Sequence, residues 1–347
     1  MPPKSPRVSA SDQDLLKSNY GQEAGISHRK RAQTAAFDRR AIPSDACESR
    51  WQAPDGYAIR RIDWSQPGKD SRGSLLFLPG RGDAYEKYLE TLAHWHREGW
   101  RVTALDWRGQ AGSGRLGADP VTGHVDDFAH WVADLSAFWR EWASERTGPL
   151  MLVGHSMGGH LVLRAAAERA VRPDALVLTA PMLGLLPDWL PNAVKQATAG
   201  FMCRIGDPRR PAWKWSEKPG EVPAGRAALL THDVERYADE LWWRQSRSEL
   251  AMGPGSWGWV RAGLASMVAL RRPGILEAVN LPVLLLSVSG DALVSACAIA
   301  HAATRLPQGK HVVFGPEAYH EVLREADPVR DRALAAIDEF LDRVIRG

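Results

Sequence analysis

The sequence predicts an α/β protein: a mainly parallel, doubly wound sheet with a mostly helical segment inserted late in the chain. Three observations carry that expectation. Short apolar runs alternate with amphipathic stretches as far as Thr179, and again from Pro282 onward. Between these blocks, from Pro181 to about Asn280, the alternation breaks. Finally, the apolar run Leu152-Val153 leads directly into Gly154-His155-Ser156-Met157-Gly158-Gly159, the signature of a tight turn between a strand and a helix.

The elements follow in order. Tyr57–Trp64 alternates apolar and polar residues after an Asp55-Gly56 turn and predicts a strand. Ser74–Leu78 is a short apolar run stopped by Pro79-Gly80. Glu86–Gly99 carries Tyr88, Leu89, Leu92, Ala93 and Trp95 at helical spacing, and Trp100–Asp106 is the next strand. Asp127–Arg146 is a long amphipathic helix with Phe128, Trp131, Val132, Leu135, Phe138, Trp139 and Trp142 on its apolar side. Pro149–Val153, His155–Ala170 and Ala175–Thr179 complete the first block as strand, helix and strand. Pro282–Val288, Leu293–Arg305, His311–Phe314 and Asp327–Ile345 resume the alternation. The expected organisation is a basic, flexible tail over 1–45, a core over 46–182 and 281–347, and an inserted lid over 183–280. Residues 1–40 hold eight Lys and Arg against four Asp and Glu, a composition that can touch anionic headgroups.

Composition narrows the class. The chain has 347 residues, 44% of them hydrophobic and 24% charged, an ordinary globular balance that excludes a rod or a wholly disordered chain. A formal net charge of +3 is too mild for a nucleic-acid binder. Cys47, Cys203 and Cys297 are far apart and form no C-x-x-C pair, so neither a zinc knuckle nor a disulfide framework is supported. The longest apolar run lies near Leu281–Val288, well short of the ~18 residues of a membrane span. No apolar signal core follows the N-terminal basic residues. A cytoplasmic location with the basic tail solvated is expected, and contact of that tail with the inner membrane face is the alternative. Fifteen Trp exceed both Phe and Tyr, and seven of them fall between 183 and 280. Such rings suit a pocket or a membrane interface as well as a core.

Gly-x-Ser-x-Gly at this junction exposes a serine hydroxyl at the carboxyl edge of the sheet, with the following helix starting beneath it. A serine needs a base, and the base needs a carboxylate to orient it. Five histidines follow Ser156 as candidates: His160, His232, His301, His311 and His320. His160 lies one turn along the nucleophile's own helix, His232 in the insertion, His301 within a helix and His311 at a strand start. His320 sits in the loop between the last strand and the last helix, where a base belongs. Asp291 ends the buried run Leu284–Val288 in Ser289-Gly290-Asp291 and is the expected acid, with helix capping as its alternative role. Asp174 and Asp327 fit worse. The oxyanion donors are expected to be the N–H groups of Met157 and Arg81, the latter in Leu78-Pro79-Gly80-Arg81-Gly82-Asp83. The Arg81 side chain would either read a phosphate or pair with Asp83 or Glu86.

With these residues in place the chain resembles the α/β-hydrolase superfamily, and within it the monoacylglycerol lipase and bacterial lysophospholipase branch, a serine aminopeptidase-like group. The likeness runs from about Tyr57 to Ile345. It is carried by P-G-R-G-D-A-Y-E-K-Y (79–88), Asp106-Trp107-Arg108-Gly109-Gln110, Gly112-Ser113-Gly114, G-H-S-M-G-G, S-G-D and Tyr319-His320-Glu321. Many relatives have His-Gly where this chain has Pro79-Gly80, and the lysophospholipase-like members carry Pro-Gly-Arg. The resemblance implies the α/β-hydrolase fold and a serine hydrolase that cleaves lipid-like monoacyl esters, lysophospholipid or monoacylglycerol, through an acyl-enzyme. Tyr88, Trp257 and Trp259 are the candidate substrate contacts. No metal or organic cofactor is implied; His94 and His96, two apart on a helix, diverge. An acyltransferase, or a small-ester or peptide hydrolase on the same triad, is the alternative, and a non-catalytic interaction protein a third. Ser156 excludes relatives with an aspartate nucleophile.

Overall fold

A mostly parallel sheet is built from β1 (Ala46–Gln52), β2 (Ala58–Trp64), β3 (Gly73–Leu78), β4 (Trp100–Leu105), β5 (Leu150–His155), β6 (Ala175–Thr179), β7 (Val283–Val288) and β8 (Gly309–Phe314), in the spatial order β1-β2-β4-β3-β5-β6-β7-β8. The computed structural model describes residues 37–65, 71–214 and 225–347. Residues 1–36, most of the predicted tail, and Trp215 lie outside the described residues. From β3 to β8 every neighbouring pair is parallel, while β2 pairs antiparallel with both β1 and β4. The expected doubly wound α/β architecture is therefore present.

The strand sequences explain their positions. Every residue of β3, β6 and β7 is buried, as strands covered by helices on both faces require. Each such Leu or Val contributes roughly 1.5–3 kcal/mol of transfer free energy. β1 was not expected as a strand. Its sequence, Ala-Cys-Glu-Ser-Arg-Trp-Gln, buries Trp51 alone, because it is an edge strand that pairs on one side and meets solvent.

The helices of the core are α1 (Leu89–Arg97), α2 (Phe128–Ser144), α3 (Met157–Ala167), α8 (Ala296–Arg305) and α9 (Asp327–Arg346). Asp127 starts α2 by accepting the Ala129 N–H at 2.8 Å. The predicted helix from Leu293 begins three residues later, because Ser295 takes the cap position and accepts the Ala298 N–H. The tryptophan excess is mainly core: of the fourteen tryptophans among the described residues, ten are buried. Several of their indole N–H groups find partners, as in Trp142 to Thr103 Oγ1 at 2.9 Å and Trp107 to the Pro79 carbonyl at 2.8 Å.

Between β6 and β7 the chain forms α4 (Asn192–Arg204), α5 (Ala227–Leu230), α6 (Val234–Ser246) and α7 (Trp257–Leu270). α7 packs deeply: Trp259, Ala262, Leu264, Met267 and Leu270 join the same buried cluster as α2 and α3. α6 holds the start of the described chain, with Arg39 and Arg40 on Asp239 at 2.5 and 2.6 Å and the Trp243 indole on the Arg39 carbonyl. The predicted basic tail is thus attached before residue 45. Cys47, Cys203 and Cys297 are free thiols.

Candidate active site

Ser156 lies between β5 and α3 with φ 51° and ψ −116°, a left-handed backbone that a non-glycine residue rarely adopts. The strain is held from both sides. Its N–H donates to the Thr179 carbonyl at 2.9 Å, and its carbonyl accepts from His160 N–H at 3.1 Å and Met182 N–H at 2.9 Å. The glycines of the motif are steric necessities. A Cβ on Gly154 would lie 2.7 Å from the Gly158 backbone, and one on Gly158 would lie 2.3 Å from the Leu78 carbonyl oxygen. Met157 is the first residue of α3, so its N–H is one of the donors a helix leaves unpaired within itself.

The loop after β3 comes to the same point. A Cβ on Gly80 would sit 3.1 Å from Ser156 Cβ and 2.8 Å from Asp83 Oδ2. The amides flanking Arg81 are committed to the protein, Gly80 N–H to Asp83 Oδ2 at 3.2 Å and Gly82 N–H to Gln110 Oε1 at 3.0 Å. The Arg81 guanidinium does not complete the pairing expected with Asp83 or Glu86. Those carboxylates hold Lys87 and Arg60, whereas Arg81 donates to the Gly253 carbonyl at 3.0 Å and lies over the Trp213 and Trp259 rings.

His320 and Asp291 meet as the topology demands, one after β8 and one after β7. His320 Nδ1 is 2.7 Å from Asp291 Oδ2. Asp291 Oδ1 accepts the N–H groups of Leu293 and Val294 at 2.8 and 3.0 Å, so the carboxylate is fixed at both oxygens. It caps this turn rather than α8. The His320 ring lies 4.9 Å from that of His155, the residue before Ser156. Burial works to lower the His320 pKa, but Asp291, helped by Glu321 and Asp83, more than reverses this and holds it above the ordinary imidazole value. Burial, and then His320, push His155 down to about 4, so it stays neutral.

The other histidines are engaged elsewhere. His160 bonds Ser266 of α7 at 2.6 Å, His232 stacks on Tyr319 at 3.7 Å, His311 bonds Ser287 at 2.7 Å, and His301 is exposed. The expected substrate contacts separate. Tyr88 is 1% exposed and donates its hydroxyl to Asp83 at 3.0 Å, so it supports the loop from beneath. Trp259 is buried with its indole 3.4 Å from the Met157 sulfur, joining α7 to α3. Trp257 is half-buried at the start of α7.

Sequence reading missed a buried charge network beside the site. Lys87, on the turn before α1, faces Asp83, Glu321 and Glu240, and Arg324 bridges the last two. The signals were present in the Asp83-Ala84-Tyr85-Glu86-Lys87 run and in Glu321 next to His320.

The arrangement suits base-assisted attack by a hydroxyl on an acyl carbonyl. If His320 is the base, kcat/KM falls about tenfold per pH unit on the acid side. The raised pKa of His320 places the midpoint of that limb above the ~6.5 of free imidazole. A pH profile on a neutral ester checks this, and a midpoint below that of free imidazole would show that Asp291 does not outweigh burial at His320.

Comparison with known proteins agrees with the geometry. The family model described as serine aminopeptidase, S33, matches residues 69–327. Lysophospholipase L2 of Escherichia coli strain K12 is 30% identical over 288 residues, 78% of this chain and 80% of its own. Monoacylglycerol lipase of Mycolicibacterium smegmatis is 29% identical over 141 residues, covering 40% of this chain and 48% of its own. Among solved structures, a soluble variant of monoglyceride lipase from Saccharomyces cerevisiae superposes with a TM-score of 0.67 at 17% identity, covering 90% of this chain and 100% of that one. With a family model that spans most of its length and an α/β-hydrolase sheet, this chain belongs to the serine aminopeptidase S33 family.

Proposed function

We propose that this protein is a carboxylic ester hydrolase that cleaves lipid-like monoacyl esters, with lysophospholipid as the first candidate and monoacylglycerol the second. Ser156 Oγ attacks the acyl carbonyl, and His320 Nε2 takes its proton and returns it to the leaving alcohol. Asp291 orients the ring and stabilises the imidazolium. The N–H groups of Met157 and Arg81 receive the oxyanion. Water then repeats the sequence on the acyl-enzyme. The observation that carries the chemistry is the His320–Asp291 pair, 2.7 Å apart, beside a strained serine turn. The lysophospholipase relative, matching four-fifths of both chains to the nearest tenth, supports the substrate class. The test is a panel of lysophospholipids, monoacylglycerols and short nitrophenyl esters assayed with wild type and Ser156→Ala. Preference for short esters over every long-chain substrate would overturn the lipid assignment.

The segment 183–280 is read as a cap, anchored to the core by α7. Its α4 side favours a lipid surface. Val194, Phe201 and Ile205 recur at i, i+7 and i+11, on one helix face, and are 46%, 60% and 58% exposed, with Trp189 at 81% in the preceding turn. Among the described residues no helix is long and apolar enough to cross a membrane, so such contact would be peripheral. The double variant Phe201→Asp/Ile205→Asp is expected to reduce cosedimentation with phosphatidylglycerol vesicles at least fivefold. Unchanged cosedimentation would remove this face from the proposal.

A further inference from the structure

Asp83, His155 and Glu321 bring ligand atoms within 4.8 Å of one another, all buried. Such a cluster calls for a cation, and the chain supplies its own. Lys87 Nζ lies 2.5 Å from Asp83 Oδ1, 2.7 Å from Glu321 Oε1 and 3.0 Å from Glu240 Oε2, and its side chain is 4% exposed. An ammonium has three N–H donors, and here three carboxylates surround it.

Each carboxylate belongs to a different part of the site. Asp83 holds the loop of Gly80 and Arg81, through the Gly80 N–H and the Tyr88 hydroxyl. Glu321 follows His320 directly. Glu240 lies in α6, within the inserted segment. That segment also grips the base loop by backbone: the N–H groups of His320 and Glu321 donate to the carbonyls of Leu229 and Leu230 at 3.4 and 2.9 Å. Arg324 closes the network from the far side, on Glu240 at 2.9 Å and on Glu321. Burial alone would push these carboxylates up, but Lys87 and Arg324 pull Glu321 down to about 2, and they act with Arg244 to do the same for Glu240.

We infer that Lys87 is a positioning residue for the hydrolysis proposed above: its buried ammonium holds the loop of the oxyanion donor, the loop of the base and the inserted segment in register around Ser156. It does not touch the reacting atoms. Its work is geometric, and a shift of about 1 Å in either loop can cost on the order of 10²-fold in rate.

The test is Lys87→Met, which keeps the length of the stem and removes the charge, with rates normalised to the fraction of molecules titrated by a fluorophosphonate. The expected result is a fall in kcat of at least 30-fold on a short soluble ester, with KM within threefold. The second-order rate of fluorophosphonate labelling should fall in parallel, because labelling needs the nucleophile and base but no acyl-chain site. If Lys87→Met does not fold, Glu321→Gln decides by the same criteria. This isostere removes one of the three charges facing Lys87, and a kcat loss of at least fivefold is expected. A lowered Tm with kcat per titrated site within twofold of wild type, in whichever variant folds, would overturn the inference and leave the network a stabilising core. The inference rests on the triad reading, and the two fail separately. An active Ser156→Ala would sink the triad, whereas an inactive Ser156→Ala beside a fully active Lys87→Met would sink the positioning role alone.

Discussion

Ser156→Ala, His320→Ala and the double variant are expected to lose nearly the same activity, ~10⁴–10⁶-fold in kcat each, because the two side chains act as one unit. The proposed triad gives the reason. In it His320, held by Asp291, is the base, whereas His155, the residue before Ser156, is buried, neutral and tied to Thr179. Without His320 the hydroxyl keeps its proton, and without the hydroxyl His320 has nothing to activate. What remains in each variant is the small rate supplied by substrate binding and the oxyanion donors. The measurement is steady-state kinetics on the preferred ester, with mass spectrometry of fluorophosphonate-treated protein to show that the label lands on Ser156. Additive losses in the double variant would mean that the two residues act in separate steps. Asp291→Asn should lie between wild type and His320→Ala, because an amide at Oδ2 can keep the turn but cannot stabilise the imidazolium.

The parts of the fold and site legible in the sequence were those governed by local rules. Fully buried parallel strands advertise themselves as apolar runs, and β6 was read to the residue at Ala175–Thr179. The nucleophile turn was legible because a left-handed serine between crossing backbones leaves room only for glycine at 154 and 158. The pairing of His320 with Asp291 was legible because both follow the carboxyl ends of neighbouring parallel strands, β7 and β8. β1 was hidden because one buried Trp in seven residues gives no alternation to read. The Lys87 network was hidden for another reason. Charged residues are normally assigned to solvent, and burial of Lys87, Asp83, Glu240 and Glu321 becomes favourable only when segments as far as 234 residues apart in sequence bring the charges together. Tyr88 and Trp259 show the same limit: their apolar character was evident, but whether they faced substrate or packed beneath it depended on partners, Asp83 and Met157, that spacing does not reveal.

Gly158→Ala is expected to damage both stability and catalysis, although it adds one methyl group two residues from the nucleophile. Its Cβ would stand 2.3 Å from the Leu78 carbonyl oxygen and 2.4 Å from that of Pro79. Both are backbone atoms, so no side chain can swing aside. Relief requires α3 to move off the end of β3 by about 1 Å, at a cost of ~1–3 kcal/mol or more from overpacking. That movement drags Met157, and with it one oxyanion donor, away from the loop that carries Arg81. A misplacement of that size costs on the order of 10²-fold in rate, and thermal unfolding should fall by a few degrees, at ~1–2 °C per kcal/mol for a chain of this size. Gly200→Ala supplies the contrast. Gly200 lies inside α4 with nothing within 4 Å of the added carbon, so the same methyl should raise stability by up to ~1 kcal/mol through helix propensity. Differential scanning calorimetry of the two variants, together with kcat per titrated site, separates the cases. If Gly158→Ala matched wild type in both measurements, the close approach of α3 to β3 would not be what sets the oxyanion donors in place, and that account of the Gly-x-Ser-x-Gly turn would have to be given up.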